Sequence, residues 1–99
     1  PHLYSRTQDN IPAFAESLSH ADSVVLTDIY PAREEPIPGV SSARIAELIT
    51  VPVTYVSSRH LLPRSLAKMV QEGDVVVGMG AGTIGQFPRD FERELQRLE

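Results

Sequence analysis

The stretch that decides the fold is residues 23–39, which read "SVVLTDIYPAREEPIPG". Its first half is a continuous apolar run rich in β-branched residues, which is typical of a strand buried on both faces. Its second half carries three prolines and three charged residues and has almost nothing that folds locally. Because such a segment adds little to a core, we interpret it as a loop with a working surface at the carboxyl end of a strand.

Two further stretches have strand character, residues 51–57 ("VPVTYVS") and residues 74–80 ("DVVVGMG"). Pro52 places the beginning of the first of them near a sheet edge. Residues 1–7 are expected to form a loop. Apolar residues at helical spacing predict four helices: one capped by Asp9 with Pro12 near its start, one capped by Ser41 and Ser42, one from about Leu62 to Gly73, and one from Phe87 to Leu98.

Helices that alternate with strands predict an α/β fold, a Rossmann-like doubly wound and mostly parallel sheet with helices on both faces. Three strands make a thin sheet of this kind, and the loop at residues 1–7 is of the type that leaves the carboxyl end of a strand. We therefore expect an N-terminally truncated piece, with residues 1–99 forming part of a single domain and at least one strand upstream of them.

The composition excludes several classes of function. A length of 99 residues with 41% hydrophobic content suits one compact core, and a net charge of −4 argues against nucleic acid as a partner. The chain has no cysteine, which excludes disulfides and thiolate metal sites. No apolar run approaches the roughly 20 residues of a membrane span, and the N-terminus lacks the pattern of a signal peptide. We expect a cytoplasmic protein that acts without a membrane.

The glycine-rich stretch "GAGTIG" at residues 80–85 matches the G-x-G-x-x-G pattern of dinucleotide-binding folds. That pattern belongs on the first strand of its unit, with an acidic residue at the end of the next strand, about 20 residues further on. Here the chain ends within the following helix. The favoured interpretation is a tight turn between a strand and a helix. The alternative that a ligand approaches the amides of Gly80 and Gly82 stays open.

Other patterns give no support for catalysis. Glu34 and Glu35 form a carboxylate pair in a proline-rich loop, where such residues are usually solvated. The three histidines show no ligand spacing, and no serine lies in G-x-S-x-G. We therefore predict no catalytic residue and no metal-ligating residue.

The first seven residues, "PHLYSRT", contain His2, Tyr4 and Arg6 in one short segment. This segment is expected to lie at the carboxyl end of a strand. An arginine at such a place suits bidentate capture of a carboxylate or a phosphate. On spacing alone, an ordinary surface arginine explains the pattern equally well.

Three stretches together resemble a known family. "PHLYSRT", "DIYPAREEPIPGVSS" and "GDVVVGMGAGTI" occur in this order and at similar spacing in the C-terminal domain of the Mur ligases of bacterial peptidoglycan synthesis. The members that join L-alanine to UDP-N-acetylmuramate are the most similar, and the resemblance covers nearly the whole chain. It implies an ATP-dependent reaction in which the muramate carboxylate is phosphorylated and the amine of L-alanine attacks the acyl phosphate.

The resemblance also implies roles for individual residues. Arg6 would orient the carboxylate of L-alanine with His2 nearby, although Leu3 stands where the family more often has a second arginine. Tyr30 and Arg33 would line the mouth of the substrate site, and Asp28 would fix the shape of their loop. The amides of Gly80 and Gly82 would lie at the same rim.

The remaining parts of such an enzyme are expected elsewhere. The chain has no G-x-x-x-x-G-K-[ST] motif, so ATP and magnesium would bind mainly in the central ATPase domain of the same polypeptide. A first domain would bind UDP-N-acetylmuramate, and this chain alone would be inactive. Two alternatives stay open: a freestanding α/β module that binds a phosphate or nucleotide at residues 80–85, and a flavodoxin-like regulatory domain.

Overall fold

The structure is a computed structural model that describes residues 1–80 and 82–98. They form two compact units, one of residues 1–57 and one that begins at Ser58. The first unit contains helix α1 (Tyr4–Leu18), strand β1 (Val24–Leu26), helix α2 (Ser42–Leu48) and strand β2 (Val53–Tyr55). The second contains a 3₁₀ helix (Arg59–Leu61), helix α3 (Leu62–Ala67), a second 3₁₀ helix (Gly82–Gln86) and helix α4 (Phe87–Leu98).

The first unit is built on a parallel pair of strands. Val24 of β1 lies opposite Val53 of β2, and α2 lies in the connection between the two strands. Its core consists of one small residue from α1, two residues of β1 and one from α2. These are Ala15, Val24, Leu26 and Ile45.

Helix α1 begins at Tyr4, earlier than the sequence pattern predicts, so the prediction of a loop over residues 1–7 is wrong from Tyr4 onward. Asp9 and Pro12 lie inside the helix instead of at its start. The first turn is held by contacts of Thr7, whose amide and hydroxyl both donate hydrogen bonds to the carbonyl of Leu3, at 3.1 and 2.8 Å. Thr7 is fully buried, and buried polar groups need hydrogen-bond partners. The Leu3 carbonyl is that partner for both the amide and the hydroxyl of Thr7.

The predicted third strand is wrong, since residues 74–80 form no strand. Val75 is 87% exposed and Val77 is 69% exposed. A strand requires a hydrogen-bonded neighbour, and the described residues of the second unit contain no other strand. The sheet within the described residues therefore has two strands. The α/β class is confirmed, and the doubly wound Rossmann-like arrangement is not.

The second unit contains α3 and α4, which pack on each other. Helix α4 is amphipathic as predicted: Phe87 and Phe91 are buried with their ring centroids 5.4 Å apart, and the Arg97 guanidinium donates two hydrogen bonds to the Glu94 carboxylate on the polar side. Helix α3 ends at Ala67, before the predicted end. Among the described helices, none has both the length and the apolar character that crossing a bilayer would require.

Candidate functional site

The two segments predicted to carry substrate-binding residues meet in the first unit. The amide of Tyr30 donates to the carbonyl of Pro1 at 2.9 Å, and the amide of Leu3 donates to the carbonyl of Tyr30 at 2.7 Å. These bonds form an isolated parallel bridge between His2 and Tyr30. The two rings stack with centroids 5.3 Å apart and planes inclined by 23°. The N-terminal segment and the proline-rich loop thus form one surface.

A second contact joins the same two segments. The carboxylate of Glu34 accepts hydrogen bonds from the amide of Ser5 at 3.1 Å and from the hydroxyl of Ser5 at 2.6 Å. Ser5 lies in the first turn of α1, where free amide groups and the helix dipole favour a negative charge. Glu34 itself is held in the loop by a turn, in which its amide donates to the carbonyl of Pro31 at 2.9 Å.

These contacts lower the pKa of Glu34 below its ordinary value. The hydrogen bond from the Ser5 hydroxyl is the largest cause, and the bond from the Ser5 amide comes next. Partial burial acts in the opposite direction, while the positive charge of Arg6 supports the lowering. The carboxylate is therefore stabilised in its ionised form, as a structural anion and not as a proton donor.

Leu3, between these contacts, has a backbone conformation that is unusual for its residue type. Its φ is 63°, in the left-handed region that side chains with a Cβ rarely adopt. Its amide donates to Tyr30 and its carbonyl accepts from Thr7, so hydrogen bonds on both sides hold the conformation. A strained backbone of this kind persists only where several surrounding contacts hold it in place.

The start of the loop is anchored to the sheet. The amide of Asp28 donates to the carbonyl of Ser57 at 3.3 Å, and the hydroxyl of Tyr55 on β2 donates to the Asp28 carboxylate. The buried hydroxyl of Ser42, the first residue of α2, donates to the carbonyl of Thr27. Asp28 is thus part of the support of the loop.

The predicted binding side chains differ in their exposure. Arg6 and Arg33 are exposed, and Tyr30 is 42% exposed, so their side chains are accessible to a ligand. His2 is half-buried, and its Nδ1 atom is shielded from solvent without a hydrogen-bond partner among the described residues. The structure brings His2 and Tyr30 into contact, and it places Arg6 and Arg33 on the two segments that the Glu34–Ser5 contact joins. An exposed guanidinium can bind a carboxylate in bidentate geometry.

The glycines of residues 80–85 belong to the second unit. Gly80 has a φ of 150°, and a Cβ at this position would lie 2.9 Å from Cγ2 of Ile84, so both conformation and space require glycine. Gly82 begins the second 3₁₀ helix, and Ala81 lies outside the described residues. Since no strand precedes this stretch, it lacks the strand–turn–helix context of a dinucleotide site.

Metal binding finds no support in the described part of the chain, where no group of three or more histidine, aspartate or glutamate side chains is placed to hold an ion. The side chains of residues 1–80 and 82–98 therefore do not fit a magnesium site.

Sequence reasoning missed Ser5 and Glu34. It interpreted Glu34 as a solvated residue of a carboxylate pair, whereas the structure shows it half-buried and bonded to Ser5. The two residues are separated by 29 positions, so no local pattern connects them. A serine in the first turn of a helix indicates a possible hydrogen-bonding site at the helix start. Ser5 would have given this signal only if the start of α1 had been predicted at Tyr4.

Comparison with known proteins agrees with the resemblance carried by the three motifs. The family model described as "Mur ligase, glutamate ligase domain" matches residues 2–82. Among curated relatives, the UDP-N-acetylmuramate–L-alanine ligase of Mycobacterium sp. (strain JLS) is 51% identical over 96 residues, which cover 97% of this chain and 20% of the relative. The ligases of the same name from Mycolicibacterium gilvum and Geobacter sulfurreducens are each 46% identical, over 97% of this chain and 20% and 22% of their own lengths.

The chain thus spans about one fifth of the length of the curated relatives it matches. The family model covers most of the chain, including the N-terminal segment, the proline-rich loop and the two strands. The chain therefore belongs to the Mur ligase family, in which it matches the glutamate ligase domain.

Proposed function

We propose that this chain is the C-terminal domain of an ATP-dependent ligase that joins L-alanine to UDP-N-acetylmuramate in the synthesis of peptidoglycan precursors. The observation that carries the proposal is the His2–Tyr30 bridge, because it unites the two segments expected to bind the amino acid. The names of the relatives supply the pair of substrates.

In this proposal Arg6 binds the carboxylate of L-alanine. Its guanidinium is exposed on the first turn of α1 and offers two parallel N–H donors to a carboxylate. His2 and Tyr30 contribute an adjoining stacked surface, and Arg33 lies at the mouth of the site.

The chemistry has two steps. The muramate carboxylate attacks the γ-phosphorus of ATP, which forms an acyl phosphate and releases ADP. The amine of L-alanine then attacks the acyl carbon, the amide bond forms, the amine loses a proton and phosphate leaves. Acyl phosphates hydrolyse in water, so a domain that fixes the amine and excludes solvent promotes amide formation.

ATP and magnesium are assigned mainly to the central ATPase domain of the full enzyme, and UDP-N-acetylmuramate to a further domain. We propose that residues 1–99 form part of a single domain that closes the active site and has no ligase activity alone. The full enzyme is placed in the cytoplasm, where ATP is available.

The test uses the full-length enzyme with Arg6→Ala. Phosphate release is measured with UDP-N-acetylmuramate, ATP and magnesium while L-alanine is titrated. We expect the KM for L-alanine to rise by about ten- to a hundredfold, the effect of losing a charge-assisted contact, while the KM for ATP stays the same. Arg89→Ala, at an exposed arginine of α4, is the matched control and should leave both constants unchanged.

An unchanged KM for L-alanine in Arg6→Ala would show that Arg6 does not bind the amino acid. If the unmutated enzyme releases no phosphate when L-alanine is added, the proposed activity is wrong.

A further inference from the structure

We infer that Glu34 is a positioning residue of the amino-acid site: by bonding Ser5 it holds the first turn of α1, and with it Arg6, against the loop that carries Tyr30 and Arg33. The inference rests on the proposed function, because it assigns a task to a residue that supports the same site. Glu34 is not expected to touch the substrate.

The contacts on each side of Glu34 carry the inference. Its carboxylate accepts two hydrogen bonds from Ser5, and Arg6 is the next residue along the same turn of α1. On the other side, a turn fixes Glu34 through the bond from its amide to Pro31, which directly follows Tyr30. Glu34 therefore links the backbone beside Arg6, through its carboxylate, to the backbone beside Tyr30, through its amide.

The second contact is needed because the first alone does not set an orientation. The bridge between His2 and Tyr30 is a single isolated bridge, not an extended ladder, so it ties the N-terminal segment to the loop at one point only. The bonds between Glu34 and Ser5 provide a second point of attachment, which fixes the first turn of α1 relative to the loop. The left-handed backbone of Leu3 lies between the two points and would relax if either were lost.

The chemistry of the contact requires a carboxylate. Ser5 presents two donors, an N–H and an O–H, and an ionised carboxylate offers one acceptor oxygen to each. Glutamine at position 34 would offer one oxygen and turn an NH₂ donor towards a second donor. Glu34→Gln therefore removes one of the two bonds while it keeps the size of the side chain.

The experiment uses the full-length enzyme and the assay with L-alanine titration, with melting temperatures measured in parallel. We expect Glu34→Gln to raise the KM for L-alanine about tenfold and to leave the KM for ATP unchanged. Ser5→Ala should act in the same direction, and the double variant should be no worse than Glu34→Gln, since both changes remove one interaction. Ser5→Thr, which keeps the hydroxyl, should restore the KM of the unmutated enzyme.

Glu35→Gln is the matched control, because it removes one negative charge from an exposed neighbour in the same loop. It should leave the KM for L-alanine unchanged. An equal rise in Glu35→Gln would assign the effect to the charge of the loop and overturn the inference.

A merely structural role predicts a different result. In that case Glu34→Gln lowers the melting temperature and the apparent kcat through loss of folded enzyme, while the KM for L-alanine stays the same. This outcome overturns the inference, and if Arg6→Ala still raises that KM, the proposed function stands without it. If L-alanine produces no phosphate release in the unmutated enzyme, both fail.

Discussion

At the scale of single residues, Ala32 stands in an unfavourable conformation that a substitution can relieve. Its φ is 54°, and it follows Pro31 in the turn closed by the amide of Glu34, as in a type II′ turn, where glycine is preferred. We expect Ala32→Gly to raise the free energy of unfolding of the 99-residue chain by about 0.5–1 kcal/mol, because the relief of strain exceeds the added chain entropy. Ala32→Val should lower it. Urea unfolding measures both, and a less stable Ala32→Gly variant would contradict the conformation described for this turn.

Glu34 should make the stability of the chain depend on pH. Its folded pKa lies below the unfolded value of about 4.3, so its contacts stabilise the fold fully above that value. The contribution is lost as the pH falls through the folded pKa. We therefore expect the difference in free energy of unfolding between the unmutated chain and Glu34→Gln to be larger at pH 7 than at pH 2.5. A difference independent of pH would show that ionised Glu34 has no special partner, and Glu35→Gln controls for the loss of a loop charge.

The same residues show how far a site can be predicted from sequence. The sequence indicates that His2 and Tyr30 lie in segments at the carboxyl ends of strands, which share one edge of a sheet, and the structure stacks their rings. Glu34 was missed because its partner Ser5 lies on the far side of α1 and β1 in the chain. Hydrogen bonds between distant positions leave no periodicity or spacing to detect.

At the scale of elements, α2 shows one face to the core and another to solvent. Ile45 is 1% exposed and packs in the core with Val24 and Leu26, whereas Leu48 is 51% exposed. We expect Ile45→Ala to lower the free energy of unfolding by about 2–5 kcal/mol, because it removes buried methyl groups and leaves a cavity. Leu48→Ala, a comparable truncation on the same helix, should cost less than about 1 kcal/mol. Thermal or urea unfolding compares the two, and equal losses would place the wrong face of α2 against the core.

Helix starts were predictable where the signal is local. Helix α2 begins directly after Ser41 and α4 begins at Phe87, as the sequence indicates, although the Ser41 side chain makes no capping hydrogen bond. A polar residue or an amphipathic stripe within a few positions of the boundary is enough to predict these starts. The start of α1 was placed too late, at Asp9, because its first turn depends on Thr7 and on Glu34 and not on a local cap. Tertiary contacts override capping preferences in this way whenever they supply partners for the first free amides.

At the scale of the whole molecule, three apolar runs predict strands, and two of them form strands in the structure. The runs at residues 23–30 and 51–57 pair as parallel strands, although β1 and β2 are shorter than the runs that predict them. The equally apolar run at residues 74–80 forms no strand. Its composition is that of a buried strand, but pairing depends on a neighbour that no composition specifies.

Hydrogen exchange in the 99-residue chain tests this difference directly. The amide of Val24 donates to the carbonyl of Pro52 at 2.9 Å, and the amide of Val56 donates to the carbonyl of Leu26 at 2.8 Å. Both should exchange slowly, because they open only when the sheet of the first unit opens. The amides of residues 75–79 have no backbone acceptor among the described residues and should exchange with opening free energies near zero. If they exchange as slowly as Val24, this run is a paired strand in solution, and the Rossmann-like sheet predicted from the sequence is restored. If they exchange fast, the apolar run at residues 74–80 does not form a strand by itself. Strand formation there then requires a neighbouring strand to which its backbone can hydrogen-bond.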